Sequence, residues 1–312
     1  MKKLLHAIPL PLSGVMLGFA ALGNLLQSYG EWIRALCGAI SFVLFLLLAL
    51  KFLILHASFK EDMKNPVMAS VFATFPMGMM LLSVYAKPIL GAAAVWMWWL
   101  AIALHMALII WFTMKFLFKL QLQKVFASYF IVYVGIVAGS VTAPAYSMQP
   151  FGMVLFYFGF VSLILLLGLV SYRYLKLKEL PEPVRPLFCI FAAPASLCLA
   201  GYLNSAAEKS PALLIVLAVL AGILYLMVLV ALPKLLKLKF YPGYSAFTFP
   251  FIISGIACKQ LAGFYAKAGT PVPALGVIAT VLTAVAVVLA VYTLVWYVMA
   301  VLKAVRQQSV AA

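Results

Sequence analysis

The chain has 312 residues, of which 67% are hydrophobic and only 9% charged, with a formal net charge of +16. A soluble domain is nearer half apolar and a quarter charged, and an outer-membrane barrel shows short alternating segments rather than long continuous apolar runs. Composition and run length together exclude a soluble domain, a disordered chain, a barrel and a peripheral protein with one anchor. What remains is an all-α membrane protein crossing the bilayer many times.

Met1-Lys2-Lys3 ahead of an apolar stretch has the charge pattern of a secretory signal, but Pro9, Pro11 and Ser13 interrupt the run. With no small-residue cleavage motif following, a first crossing is expected over residues 7–28. Each helical crossing takes about 20 residues. Further crossings are expected over 31–56, 66–86, 89–118, 124–145, 150–174, 186–204, 211–236, 243–266 and 272–303, which makes ten. Asn65-Pro66, Lys87-Pro88, Gln149-Pro150, the stretch 181–186 and Ser210-Pro211 punctuate them. The loops are too short for a separate domain, so residues 1–312 are expected to form a single transmembrane unit.

The crossings alternate in character. Even-numbered ones are rich in Leu, Val, Ile and Trp, as in Val95 to Leu100 and Leu213 to Val230, and read as struts facing lipid. Odd-numbered ones carry Gly14 and Gly18; Thr74, Pro76 and Gly78; Gly135, Gly139, Ser140 and Thr142; Pro194 and Ser196; then Ser245, Thr248, Pro250, Ser254 and Gly255. Small residues let helices approach closely, and proline frees a carbonyl that must find another partner, so these helices are expected to face protein or a cavity. Ala73-Thr74-Phe75-Pro76 also echoes Phe247-Thr248-Phe249-Pro250. Five helical hairpins with quasi-fivefold symmetry, odd helices in an inner ring around a central pore, is the expected arrangement.

Orientation follows from Lys and Arg. With both ends on one side, that side holds all but five of the 22 basic residues; Arg34, Lys87, Lys209, Lys259 and Lys267 fall on the other. Both termini are therefore expected in the cytoplasm, with the protein in the cell (inner) membrane. The basic residues lie between apolar runs rather than on one face, so no nucleic-acid partner is expected.

The chain offers little reactive chemistry. Its six acidic residues, Glu31, Glu61, Asp62, Glu179, Glu182 and Glu208, sit in loops or at span ends, and the one mid-span ionisable group, His105, is expected to be neutral and bonded to a neighbouring helix. Cys37, Cys189, Cys198 and Cys258 stand apart from one another and from other ligand types, so no metal, cofactor or enzymatic activity is expected. Cation pores use rings of Asp or Glu, which this chain lacks, and a basic mouth gathers anions.

Gly14-Val15-Met16-Leu17-Gly18-Phe19-Ala20-Ala21-Leu22, Asn65-Pro66-Val67, Ala192-Ala193-Pro194-Ala195 with Cys198 to Leu203, and Ala246-Phe247-Thr248-Phe249-Pro250 resemble, in that order, the tellurite-resistance/dicarboxylate transporter family. That family includes the bacterial tellurite-resistance membrane protein and the slow anion channel of plant guard cells. The fifth crossing matches less well. The resemblance implies a homotrimer in which each subunit has its own pore, lined by kinked inner helices and plugged by a phenylalanine of the ninth helix. On this chain that residue is Phe249, with Phe247 as the fallback if the register slips. The resemblance further implies that the ring rests against Gly14. From the residues of the odd crossings, Gly18, Pro76, Gly135, Gly139, Pro194 and Pro250 are expected to line the pore or pack the gate, and Phe75, a second aromatic before a proline, either to narrow the pore or simply to pack. The plant channel's long phosphorylated ends have no counterpart here, so kinase control is not expected. The implied function is passive conduction of small anions such as chloride or nitrate through the bilayer. The alternative is a coupled carrier or exporter of C4-dicarboxylates, sulfite or tellurite-like oxyanions.

Overall fold

A computed structural model describes residues 2–310; the expected unit 1–312 extends past it at Met1, Ala311 and Ala312, which lie outside the described residues. Helix α1 (Lys2–Ala7) stops before Pro9, and α2 (Leu12–Leu26) starts after Pro11. The expected first crossing is thus two pieces, because proline brings no N–H to a helix interior. Helix α3 (Glu31–Ile54) runs unbroken, followed by the short α4 (His56–Asp62).

The Asn65 side chain caps α5 (Pro66–Phe72), its oxygen accepting from the Val67 and Met68 amides at 2.8 and 3.4 Å. After a break at Ala73, α6 (Thr74–Leu90) runs to Gly91, whose φ of +56° turns the chain so that α7 (Ala94–Phe112) packs back along α6. The expected crossing over 124–145 is not one helix. It consists of α8 (Tyr129–Tyr133), α9 (Ala138–Thr142) and 3-10 turns over Gly135–Val137 and Ala143–Tyr146, since glycines and Pro144 weaken the α ladder there.

Helix α10 (Gln149–Lys176) is continuous. A 3-10 stretch, Glu182–Ala192, leads into α11 (Ala193–Ser205), and α12 (Pro211–Leu235) returns. A second 3-10 stretch, Pro242–Phe247, precedes α13 (Phe249–Lys267), and α14 (Pro273–Val310) closes the chain.

Among the described residues, seven helical runs are long and apolar enough to cross a membrane, against the ten expected. The difference has a local cause. Helix α2 is only 15 residues long, the α8–α9 stretch is fragmented, and Pro66–Leu117 counts as one run of 52 although it doubles back at Gly91. In Glu182–Ser205 and Pro242–Lys267, 89% and 61% of the most apolar stretch is buried, against 28–33% in the other five runs. Helix α2 is equally enclosed, with Asn24 and Leu26 its only residues not buried. Unbroken helices such as α10, α12 and α14 instead turn Leu165, Val219 and Val288 outward, as lipid requires.

Close packing of these layers uses glycine where a side chain has no room. A Cβ at Gly38 on α3 would lie 2.6 Å from the Tyr85 ring of α6, and that ring is pinned by a 2.8 Å hydrogen bond from its hydroxyl to the Ala20 carbonyl. At Gly168 on α10 nothing lies within 4 Å. Gly38→Val is expected to destabilise the protein by about 1–3 kcal/mol through overpacking, while Gly168→Ala is neutral or stabilising by up to about 1 kcal/mol. Unfolding temperatures in detergent check both; equal effects of the two would refute this packing.

Candidate functional site

Five broken segments form a closed ring, and each junction is tied by a hydroxyl. The Thr74 hydroxyl of α6 lies 2.7 Å from that of Ser13 on α2. Ser70 on α5 donates to Ser128, just before α8, at 2.7 Å. Ser205 of α11 donates to the Ser140 carbonyl of α9 at 2.7 Å. Ser196 of α11 and Ser254 of α13 pair at 3.1 Å. The circle closes where the Thr248 hydroxyl, 2.7 Å from the Ser245 carbonyl, approaches the Gly14 carbonyl of α2 at 3.0 Å. Ser and Thr suit this task because their short side chains can bond a carbonyl one turn back or across a helix interface.

Inside the ring the axis-facing residues follow the helical period. On α2 they are Gly14, Leu17, Ala21, Asn24 and Leu25; on the α5–α6 pair, Val71, Thr74, Met77, Leu81 and Val84. The α8–α9 stretch gives Phe130, Val134, Ala138, Val141 and Ala145, and α11 with its leading turn gives Leu187, Ile190, Ala193, Pro194 and Leu197. Around α13 they are Ser245, Ala246, Phe249, Pro250, Ile253, Ile256 and Gln260. Spacings of three and four residues put each set on one helix face.

These stripes enclose two cavities. The first, about 40 Å³, is lined from Gly14, Val71, Phe130, Leu187 and Ser245 onward and carries no charged side chain. The second, about 280 Å³, is lined by Asn24, Gln27, Arg34, Thr142, Lys259 and Gln260 among apolar neighbours. Phe249 and Leu197 are the two residues that line both. Phe249, 7% exposed, is otherwise enclosed by the walls of the two cavities that it lines. Its position is set by the chain before it: Thr248, at φ −100° and ψ −90°, is neither helical nor extended, and Pro250 falls in the first turn of α13, where a missing N–H costs nothing.

The other expected residues divide. Gly14, Gly135, Pro194 and Pro250 line the first cavity. The atoms nearest to a Cβ at Gly14 belong to Ser245, at 2.9 Å, rather than to the Phe249 ring. Gly18 lines neither cavity and packs on Thr248, 2.7 Å from its Cβ, and on the Phe249 amide. Phe247 is fully buried against Tyr244, ring centres 4.8 Å apart, and lines neither cavity. Phe75 turns from the axis and stacks between Phe45 and Phe72, at 5.4 and 5.3 Å, because α3 and α5 offer it flat aromatic partners. Pro76 is buried without lining either cavity, and Gly139 faces Leu155 and Ile102 on α10 and α7. His105 on α7 is buried, with Nε2 2.9 Å from the Val132 carbonyl, behind Gly135.

Sequence reasoning missed Leu197, although it follows Pro194 by one turn on the same face. It also missed Phe130 and placed Arg34 and Lys259 only by side. The six acidic residues are absent from both linings.

A ring of broken apolar segments around two stacked cavities, jacketed by helices that suit lipid, defines a multi-pass helical membrane protein. Residues 8–298 match the family model described as voltage-dependent anion channel (SLAC1), and the chain belongs to that family. The resemblance to the tellurite-resistance/dicarboxylate transporter group therefore extends over nearly the whole chain, and membership puts the protein among anion channels and transporters. No curated protein matches it.

Thr248 is the closing tie of the ring, so Thr248→Val is expected to cost about 1 kcal/mol while Thr248→Ser retains stability. Thermal unfolding in detergent tests this, and a Val variant as stable as the Ser variant would show that the tie contributes nothing.

Proposed function

We propose that the protein is a gated anion channel of the slow-anion type, passing small anions such as chloride or nitrate down their gradient. The observation that supports this most is that Phe249, with Leu197, lines both of the cavities inside the ring. In this reading the benzyl group closes a narrow apolar passage by filling it and excluding water. An ion stripped of water in such surroundings costs on the order of tens of kcal/mol, so the closed passage is a barrier. Swinging the ring aside merges the cavities into one wet path.

Selectivity then comes from passage width, dehydration and the positive ends, since no carboxylate lines either cavity. The protomer is read as one transmembrane unit of ten crossings in five hairpins with quasi-fivefold symmetry. It sits in the cell membrane with both termini cytoplasmic, in a homotrimer with one pore per subunit. The first cavity opens to the cytoplasm and the second to the outside. The coupled carrier of dicarboxylates, sulfite or tellurite-like oxyanions is the less favoured reading. A carrier holds its substrate at a midplane site with polar partners, whereas the first cavity carries no charged side chain, and Lys259 of the second follows Phe249 by ten helical residues, about 15 Å along the axis.

Phe249→Ala is expected to raise anion current across a defined bilayer by on the order of tenfold or more, which corresponds to lifting at least about 1.4 kcal/mol of barrier. Gly14→Phe, which adds a large side chain to the wall of the first cavity and must displace Ser245, is expected to abolish that current in the same background. Silence of Phe249→Ala, or current that saturates at low anion and follows the proton gradient, overturns the channel reading.

A further inference from the structure

The second cavity carries two cations that no carboxylate of its lining offsets. Lys259, on α13, donates from Nζ to the Leu25 carbonyl at 3.0 Å and to the Ser28 hydroxyl at 2.5 Å, and lies 5.0 Å over the Tyr29 ring. All three partners are neutral. Arg34, on α3, donates from Nε to Asn24 Oδ1 at 3.3 Å and stacks 4.6 Å over the Tyr85 ring. Its one acidic neighbour is Glu31, 3.7 Å from NH1, whose side chain is 71% exposed and also accepts from Gln27 at 2.8 Å. An ion pair so exposed neutralises little.

The rest of the wall is built to hold this charge and to recognise what it attracts. Ala21, Leu25, Leu81, Val84, Ile253 and Ile256 give the cavity low-dielectric sides. Such walls focus the field of two cations into the space between them. Asn24, Gln27 and Gln260 add amide groups, and the guanidinium of Arg34 keeps donors beyond the one given to Asn24. The amide N–H of Gln260 has room to serve the cavity because its carbonyl oxygen is taken by Asn204 Nδ2 at 3.0 Å. The first cavity, by contrast, carries no charged group. The two halves of the passage are therefore chemically unequal, and the charged half lies on the side with the fewer basic residues.

We propose that the second cavity is an anion-binding site in which Arg34 and Lys259 hold one small monovalent anion, a halide or a planar oxyanion such as nitrate. Its part in conduction rests on the channel reading; binding itself does not. Arg34 supplies directional donors that suit a planar oxyanion, and Lys259 supplies a compact charge. An anion resting there occupies the cavity that Phe249 also lines, so that opening of the ring finds that half of the passage already occupied.

Two readouts test this. In the first, the unfolding temperature of the detergent-purified wild-type protein is titrated with chloride or nitrate, replacing gluconate at fixed ionic strength. A saturable rise is expected, with apparent affinity reduced about tenfold in Lys259→Gln, abolished in Lys259→Glu and kept in Lys259→Arg. Arg34→Gln is expected to lose preference for nitrate over chloride; if its loss of the Tyr85 contact prevents folding, the Lys259 series alone decides. In the second, Lys259→Gln in the Phe249→Ala background lowers current about fivefold at low anion concentration and little at high concentration. A rise that is absent, non-saturable or equal in wild type and Lys259→Glu overturns the site. If the site fails while Phe249→Ala conducts, the channel reading stands; if Phe249→Ala is silent while Lys259→Gln weakens anion stabilisation, the site stands and the channel reading falls.

Discussion

A broken helix inside hydrocarbon must hand its freed carbonyls and amides to some partner other than water, and this constraint organises the molecule. The broken segments are the buried ones, and the unbroken helices α3, α7, α10, α12 and α14 carry the exposed aliphatic surface. Short hydroxyls supply the partners, five of them bridging neighbouring segments until the ring closes between Thr248 and Gly14. Two of these ring bonds end on backbone carbonyls, of Ser140 and Gly14, and the other three join hydroxyls, at least one of each pair also lying within hydrogen-bond distance of a carbonyl one turn back, so the same side chains serve the backbone and the ring.

Once the ring is closed, what lies on its axis is decided by where each segment breaks. The 3-10 stretch before α13 buries Phe247 beside Tyr244, and the turn at Thr248 swings the next aromatic onto the axis. Phe75 precedes a proline in a similar tetrapeptide yet lies in an aromatic stack with Phe45 and Phe72. The difference is not in the local residues but in the neighbours: α13 is enclosed by α2 and α11, while α6 leans on the phenylalanines of α3 and α5. The two cavities that Phe249 lines also differ: the first is small and uncharged, the second larger and lined by Arg34 and Lys259.

Much of this was legible in the chain. The alternation of small and hydroxylated stretches with aliphatic ones marked the inner segments, and the hydroxyls of Thr74, Ser196, Thr248 and Ser254 all make ring bonds, whereas Ser140 contributes only its backbone carbonyl. What was not legible is what depends on distant partners. Gly139 reads as an inner glycine but serves contact with Leu155 and Ile102, because periodicity assigns a face without saying which neighbour covers it. The break-up of the 124–145 stretch was missed, since glycine and proline such as Gly135, Gly139 and Pro144 are tolerated within membrane helices. Arg34 and Lys259 counted only as a minority in the charge tally, because their convergence on one cavity joins α3 to α13 across more than two hundred residues of chain.

The central claim is that one aromatic ring divides a single passage. Its most direct test is accessibility on either side of that ring. In a chain whose four native cysteines are replaced, Ile131→Cys reports on the first cavity and Ile256→Cys on the second, each a half-buried residue of its cavity's lining. A small sulfonate-bearing thiol reagent that cannot cross lipid is expected to modify each from one face of the membrane only, the two faces being opposite, and both from either face once Phe249→Ala is added. Modification of either position from both faces with Phe249 intact, or of both from the same face, would contradict the account.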